Sequence, residues 1–277
     1  MSSGNSRVLP NTYVPVMDVR VSGAILSRLS KMSLVELLMA WPKLANTQPV
    51  PSGNHSKWTQ TALNDHIMTR ARGLKRNIAK TLKKAIIHLI LFNYWSQGLN
   101  LLQLSQVDCQ LIVDRPNSYY WVTSSVFDQQ GRLVPLLLNP NTFLAEVSRR
   151  LSMFYLNYIY ICRHPSLPLI LLRIQVFDLS IDKAAASKNP HISSYKPYFV
   201  AFPTNSPHII HTPGNNTITK ILIQAIQQCL PQNTTNLLQI RQNENETPTR
   251  SLESMHILNG SSRFGHSLGI WAPYADG

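Results

Sequence analysis

The sequence predicts an α+β protein: an all-helical N-terminal unit reaching to about residue 115, then a unit mixing strands and helices. Three observations predict it. Up to residue 114 apolar side chains recur every three or four positions, the spacing of helices buried along one stripe. The last of these helices is ended by Arg115-Pro116. Beyond it the period changes, and hairpin signals and a long apolar strand candidate appear.

Residues 1–19 are polar and proline-punctuated, a flexible lead-in. A helix over 22–30 carries Ile25, Leu26 and Leu29 on one face. Ser33-Leu-Val-Glu36 reads as a capping box. Behind it Leu34, Leu37, Leu38 and Trp41 form an amphipathic face, and Pro42 stops the helix. Residues 46–58 form a loop. From 64 to 95 the sequence is helical in period, with Ala71, Leu74, Ile78, Leu82, Ile86 and Leu89 on one stripe. Gly73 is a candidate break in that helix, and Gly98 is placed as its C-terminal stop. A further helix spans 99–114. Segments 121–127 and 132–138 flank Asp128-Gln-Gln-Gly131 as a hairpin. Next come a helix over 141–155, a strand over 168–179, a second hairpin over 198–211 and a helix over 216–230. Residues 231–253 are a polar linker, and 254–259 read as one more strand. The domains are therefore 20–115, 116–230 and a C-terminal segment, 254–277.

Composition narrows the function. The 277 residues contain 26 Lys and Arg against 13 Asp and Glu, a net charge of +13. That length allows one large or two small domains, and 44 % hydrophobic residues exclude a wholly disordered chain. Charged residues are only 14 %, so the positive excess is a shortage of acids. It favours a polyanionic partner: nucleic acid, an acidic protein face or an anionic membrane. Residues 1–163 hold 18 basic and 7 acidic side chains, and 164–277 hold 8 and 6, so the N-terminal part carries nearly all of the field.

Other classes are disfavoured. Cys109, Cys162 and Cys229 show no metal-ligand spacing and are read as buried free thiols. The N-terminus lacks the apolar core of a secretory signal, so Asn215 and Asn233, although in glycosylation triplets, are expected to be unmodified. No apolar run is long enough to span a bilayer. His208 and His211 fall on opposite faces of a strand, a poor arrangement for one metal. His88 reads as a core or boundary histidine. No phosphate-cradling, dinucleotide or nucleophile-elbow motif occurs, and no catalytic residue, metal or cofactor is assigned. Trp95, Trp121, Tyr119 and Tyr120 are read as core rather than as a base-stacking platform.

The candidate site is basic. Arg70, Arg72, Lys75, Arg76, Lys80, Lys83 and Lys84 lie between Asp65 and Asp108 with no acid among them, most of them opposite the apolar stripe. A solvated helix normally interleaves Glu with Lys, whereas a nucleic-acid backbone matches such a row directly. Arg149-Arg150 on the later helix could clamp a phosphate or be solvated. Arg173, central in an apolar strand, could face a polyanion or pair with a carboxylate such as Asp178.

Four stretches carry a resemblance: LSRLSKMSLVELLMAW (26–41), YWSQGLNLLQLSQVDCQLIVDRPNSYYW (94–121), LLRIQVFDL with YKPYFVAFPTNSPHIIHT (171–179 and 195–212), and SLESMHILNGSSRFGHSLGIWAPYADG (251–277). Together and in this order they resemble the centromere protein N (CENP-N) family in its fungal, inner-kinetochore branch. The resemblance implies a pyrin-like, death-fold helical domain followed by the α+β homology domain shared by CENP-N and CENP-L. It implies a nuclear subunit of the constitutive centromere-associated network that pairs with CENP-L and other inner-kinetochore subunits, binds DNA and the centromeric nucleosome, supports chromosome segregation and has no membrane role. The family's basic groove between its domains would take Arg28, Lys31, Arg70, Arg72, Lys75, Arg76, Arg149, Arg150 and Arg173 in this chain. Residues 1–17 contain no acid, so the acidic histone-loop contacts of relatives have no match. The chain ends within a stretch that continues in relatives, so CENP-L pairing is expected of a longer product. The alternative is a protein–protein adaptor whose helical domain docks an acidic partner without physiological DNA binding.

Overall fold

Asp18 starts the first helix. Its carboxylate accepts from the Arg20 amide at 2.8 Å, and α1 runs over Val19–Ser27. The computed structural model describes residues 7–52, 56–179, 192–231, 237–242 and 247–260. The chain is α+β and divides into two units, one built on Leu9–Arg115 with Ile192, and the other on Arg7, Val8, residues 116–179 and the described residues from Ser193 onward.

In the helical unit α2 spans Lys31–Ala40 and α3 spans Gln60–Arg76. Lys83–His88 forms α4, which widens into a π turn over Leu89–Tyr94, and Leu101–Asp114 forms α5. The expected cap of α2 moves three residues upstream. Ser30 is the cap, accepting from the Ser33 amide at 3.0 Å, and Ser33 lies inside the helix. The cause is Asp114, which accepts from the Ser30 amide and the Ser33 hydroxyl, both at 2.7 Å. A capping box does form at α5, between Asn100 and Gln103.

The helix expected over 64–95 breaks at Asn77 rather than Gly73. The Asn77 side chain donates to the Gly73 carbonyl, and the Thr81 hydroxyl donates to the Asn77 carbonyl at 2.9 Å. Such local side-chain bonds compete with the helical ladder. The break rotates the downstream residues out of register, so Leu82 is 75 % exposed rather than part of the core stripe. Gly98 ends the next segment with φ +102°, a conformation that glycine adopts without strain.

The core of this unit includes Leu26, Leu38, Trp41, Ile67, Ile86 and Val107, all fully buried. Trp41 meets Trp95 edge-on at 5.0 Å between centroids, and its indole N–H donates to Gln106 Oε1 at 2.7 Å. The described part of the expected flexible lead-in is tied down. The Tyr13 carbonyl accepts from the Leu101 amide, and the Arg7 carbonyl accepts from the Asn157 amide, both at 2.9 Å.

The second unit holds one sheet. Its strands are β1 (Val122–Phe127), β2 (Leu156–Arg163), β3 (Leu169–Leu179), β4 (Ile192–Ser194), β5 (Tyr198–Pro203), β6 (His208–His211) and β7 (Gln239–Gln242). Their order is β2-β3-β5-β6-β1-β7, with β4 paired to β3 off that path. The registered pairings along the path are antiparallel, including Arg173 opposite Tyr160 on one side and Phe199 on the other. Helices α6 (Pro140–Leu151) and α7 (Thr217–Gln228) share one core with the sheet, in which Leu172, Ile174 and Val176 of β3 join Val147, Leu222 and Ile226.

The structure corrects four secondary-structure expectations in this unit, and it leaves Tyr120, expected as core, 46 % exposed beneath the Arg250 guanidinium. The 132–138 arm forms no strand: after the Gly131 turn and a Phe127–Leu133 bridge it leaves, because β6 and β7 occupy both edges of β1. The helix expected to 155 ends at Leu151, and β2 comes next. The polar linker over 231–253 contains β7. The strand expected over 254–259 is helical instead, as α8 (Leu252–Met255) and a π turn over His256–Gly260. The stretch 261–277 lies outside the described residues.

His208 and His211 do take opposite faces. His208 Nδ1 meets the Ser125 hydroxyl at 2.9 Å, and His211 Nε2 meets the Ser124 hydroxyl at 2.8 Å. The Tyr198 hydroxyl lies 2.7 Å from His211 Nδ1. Burial holds the His211 pKa below the ordinary histidine value, partly opposed by the Thr212 carbonyl. Burial shifts His164, His208 and His256 in the same direction. Below about pH 6.5 the unfolded chain therefore takes up protons that the folded chain refuses, and stability falls as pH drops through that value. Thermal melts should give a clearly lower Tm at pH 5 than at pH 7.5. Equal values would contradict neutral buried histidines.

Candidate nucleic-acid interface

Helix α3 carries the centre of the basic set. Thr59 caps it, accepting from the Ala62 amide, and Leu63, Ile67, Met68 and Ala71 bury its inner face. Arg70, Arg72, Lys75 and Arg76 are all exposed, but the 100° step between residues spreads them around the helix. Arg72 and Arg76, four apart, share one side. Arg72 lines an open groove with Pro42, Lys43, Asn64, Asp65 and Met68. Arg70 lies on the opposite flank, where its charge acts on the buried Tyr94 phenol, whose pKa is raised first by burial and lowered in part by Arg70. Lys75 leans toward α2, with its ammonium 3.5 Å from Glu36 Oε1. Exposed pairs of this kind contribute little to stability.

Beyond the break, Lys80 and Lys84 are exposed, as is Arg28 at the end of α1. Lys31 and Lys83 are half-buried and turned inward. The Lys31 ammonium donates to the carbonyls of Ile78 (2.8 Å), Ala79 (3.3 Å) and Thr81 (3.1 Å). That of Lys83 donates to the carbonyls of Ser27 (3.2 Å) and Leu29 (2.8 Å). An ammonium has three donors, so Lys31 has none left over for a phosphate.

In the second unit Arg149 is exposed and forms a two-nitrogen contact with Glu146 Oε2, at 2.7 and 3.2 Å. That hydrogen bond is the main reason the Glu146 carboxyl titrates below its usual range. Arg150 is half-buried and donates to Gln228 Oε1 at 2.9 Å. It lies beside Cys229, whose thiol pKa is raised by burial and lowered in part by Arg150.

Arg173 is placed apart from the exposed set. It is 2 % exposed, because β3 is central and buried on both faces. Its guanidinium donates to Gln175 Oε1 at 2.7 Å. The nearby Tyr158 phenol is pushed up to about 12 by burial, with the Arg173 charge opposing. The suggested partner, Asp178, has its side chain outside the described residues.

Lys43 is the cation that sequence reasoning missed. It comes directly after Pro42 in a short 3-10 turn, outside any periodic segment, yet it shares the Arg72 groove. The signal available was its position at the end of the 34–41 amphipathic stripe. Among the described residues no group of three or more His, Cys, Asp or Glu side chains could hold a metal ion. No helix among them is long and apolar enough to cross a membrane.

A family model described as Centromere protein Chl4/mis15/CENP-N matches residues 17–277. A curated relative, the inner kinetochore subunit CHL4 of Saccharomyces cerevisiae, is 29 % identical over 288 residues, which cover 98 % of this chain and 59 % of the relative. The chain thus spans less than two-thirds of that relative's length. Since the family match begins at residue 17 and runs through both units, the chain belongs to the Chl4/mis15/CENP-N family of centromere proteins.

Proposed function

We propose that this protein is a nuclear, non-enzymatic subunit of the inner kinetochore that binds the DNA backbone at the centromere. The family and the name of the yeast relative support the kinetochore role. In this reading the helical unit is of the pyrin-like class and the second unit is the homology domain shared with CENP-L. A CENP-L-type subunit, other inner-kinetochore subunits and the centromeric nucleosome are the partners.

The observation that carries DNA binding is the set of exposed cations on one side of α3 and beyond it. Arg72, Arg76, Lys80 and Lys84 are solvent-facing in a stretch without acids from 66 to 107, and exposed Lys43 faces Arg72 across a groove that also holds Asp65. Like charges four apart on a helix repel, and phosphates offset that repulsion while releasing counterions. Arg28, Arg70 and Lys75 extend the cationic surface of the same unit, and Arg149 and Arg150 supply a second basic patch on α6. Such contacts position a protein on DNA without reading its sequence.

The test is a salt series of binding to duplexes of unrelated sequence. A linear log–log plot with a slope of about −0.9 per phosphate contacted, the same for each sequence, is expected. The rival reading is an adaptor docking an acidic protein face, and exposed Leu82 among lysines 80, 83 and 84 favours it. An interface with an apolar centre would give a shallow slope, and that result, with no DNA binding at moderate salt, would move the assignment to the adaptor.

A further inference from the structure

Lys31 and Lys83 resemble surface lysines in the sequence but are used differently. Each is the first residue of its helix, α2 and α4, where a positive charge opposes the helix dipole. Each reaches across to carbonyls at or just beyond the end of another helix. Lys31 takes three carbonyls of the turn after α3, at 2.8, 3.3 and 3.1 Å. Lys83 takes two carbonyls at the end of α1, at 3.2 and 2.8 Å. Carbonyls left without helical partners gain charge-assisted bonds this way. The two reaches run in opposite directions between the same two places, the 27–31 junction and the 78–83 segment.

We infer that Lys31 and Lys83 form a reciprocal clamp that fixes the 77–84 segment and so presents Lys80 and Lys84 to DNA. They are positioning residues rather than phosphate contacts, and this inference rests on the DNA-binding reading above. The clamp is needed because the segment is otherwise weakly held. Asn77 breaks the helix, Leu82 contributes nothing to the core, and residues 79, 80 and 82 are exposed. Without the two ammonium groups the turn between Asn77 and Leu82 would lose its hydrogen bonds to α2 and keep its local turn bonds and the partial burial of Ile78 and Thr81.

Lysine-reactivity mapping of the wild-type protein, with and without duplex DNA, tests this without a variant that could misfold. Acylation at Lys31 and Lys83 should be about tenfold or more slower than at Lys80 and Lys84, because their donors are held in charged hydrogen bonds. DNA should protect Lys80 and Lys84 and leave the slow pair unchanged. Equal reactivity of all four lysines in the free protein would overturn the clamp. A slow pair combined with no DNA protection of Lys80 and Lys84 would keep the clamp but remove its role in binding. As a second arm, Lys31→Met should raise amide exchange across 77–84 while Lys80→Met leaves it unchanged. If Lys31→Met leaves exchange there as in wild type, the segment is held by something else and the inference fails.

Discussion

A protein in which Arg72, Arg76 and Lys80 are all replaced by Glu should bind duplex DNA roughly a hundredfold or more weakly at about 0.15 M salt, because each lost phosphate contact removes about 0.7 of a log unit there. The same counting flattens the log–log salt slope by nearly three, at about 0.9 per contact. Reversal exceeds simple loss, since glutamates beside a phosphate add repulsion. Stability should change little. All three side chains are exposed, and Arg72 and Arg76 are like charges four apart whose separation costs nothing. The measurement is anisotropy with labelled duplex across salt, alongside a thermal melt. An unchanged affinity would remove the α3 side from the interface. A collapsed melt would mean these cations serve the fold.

The largest expected stability effect lies at Trp41. The side chain is fully buried, sits edge-on to Trp95 at 5.0 Å and donates to Gln106 at 2.7 Å. Trp41→Ala leaves a cavity between the end of α2 and α5, strips the buried contacts and leaves the Gln106 carbonyl oxygen without this donor. Substitutions of this kind cost about 3–5 kcal/mol, a large share of the total stability of a typical domain. The helical unit should melt well below the wild-type temperature in a circular-dichroism scan. Trp41→Phe, which keeps the ring contact but not the indole N–H, should fall between the two. A melting temperature within a degree or two of wild type for Trp41→Ala would contradict the assignment of Trp41 to the core.

The α+β class was legible because its signals are local. Period and turn residues gave α5 with its end at Asp114, and they gave β3 and the β5–β6 pair with small shifts at the ends. Errors came where a distant residue intervened, where side-chain bonds within one turn outcompeted the helix, or where a strand lay at the sheet edge. Asp114 lies far along the chain from Ser30, so the cap of α2 was placed three residues late. The break at Asn77 depends on side-chain bonds to Gly73 and from Thr81, and Gly73 was the more conspicuous breaker. Strand β7 reads as polar linker because this short edge strand packs only Ile240 against the core and leaves Gln239, Arg241 and Gln242 exposed, so it shows no run of apolar alternation.

The charge row was equally visible, but its geometry was only partly so. Part of it follows from the period alone, since a 100° step sets Arg70 and Arg72 about 200° apart, on opposite flanks of the buried line from Leu63 to Ala71. Lys31 and Lys83 were read as cations like their neighbours. Only the carbonyls gathered by folding distinguish them, and Lys43 gained its place through a turn that brings it to the Arg72 groove.

If the α3 side is the interface, the location of its cations, and not net charge, sets the affinity for DNA. That dependence on location is tested most directly by comparing two variants of equal charge change in one salt series. One carries Arg72→Glu, Arg76→Glu and Lys80→Glu. The other carries Arg163→Glu, Lys196→Glu and Lys220→Glu, at three exposed cations outside the assigned set. The first is expected to lose affinity and slope while the second stays near wild type. Equal losses in both would contradict it, leaving only a diffuse positive field.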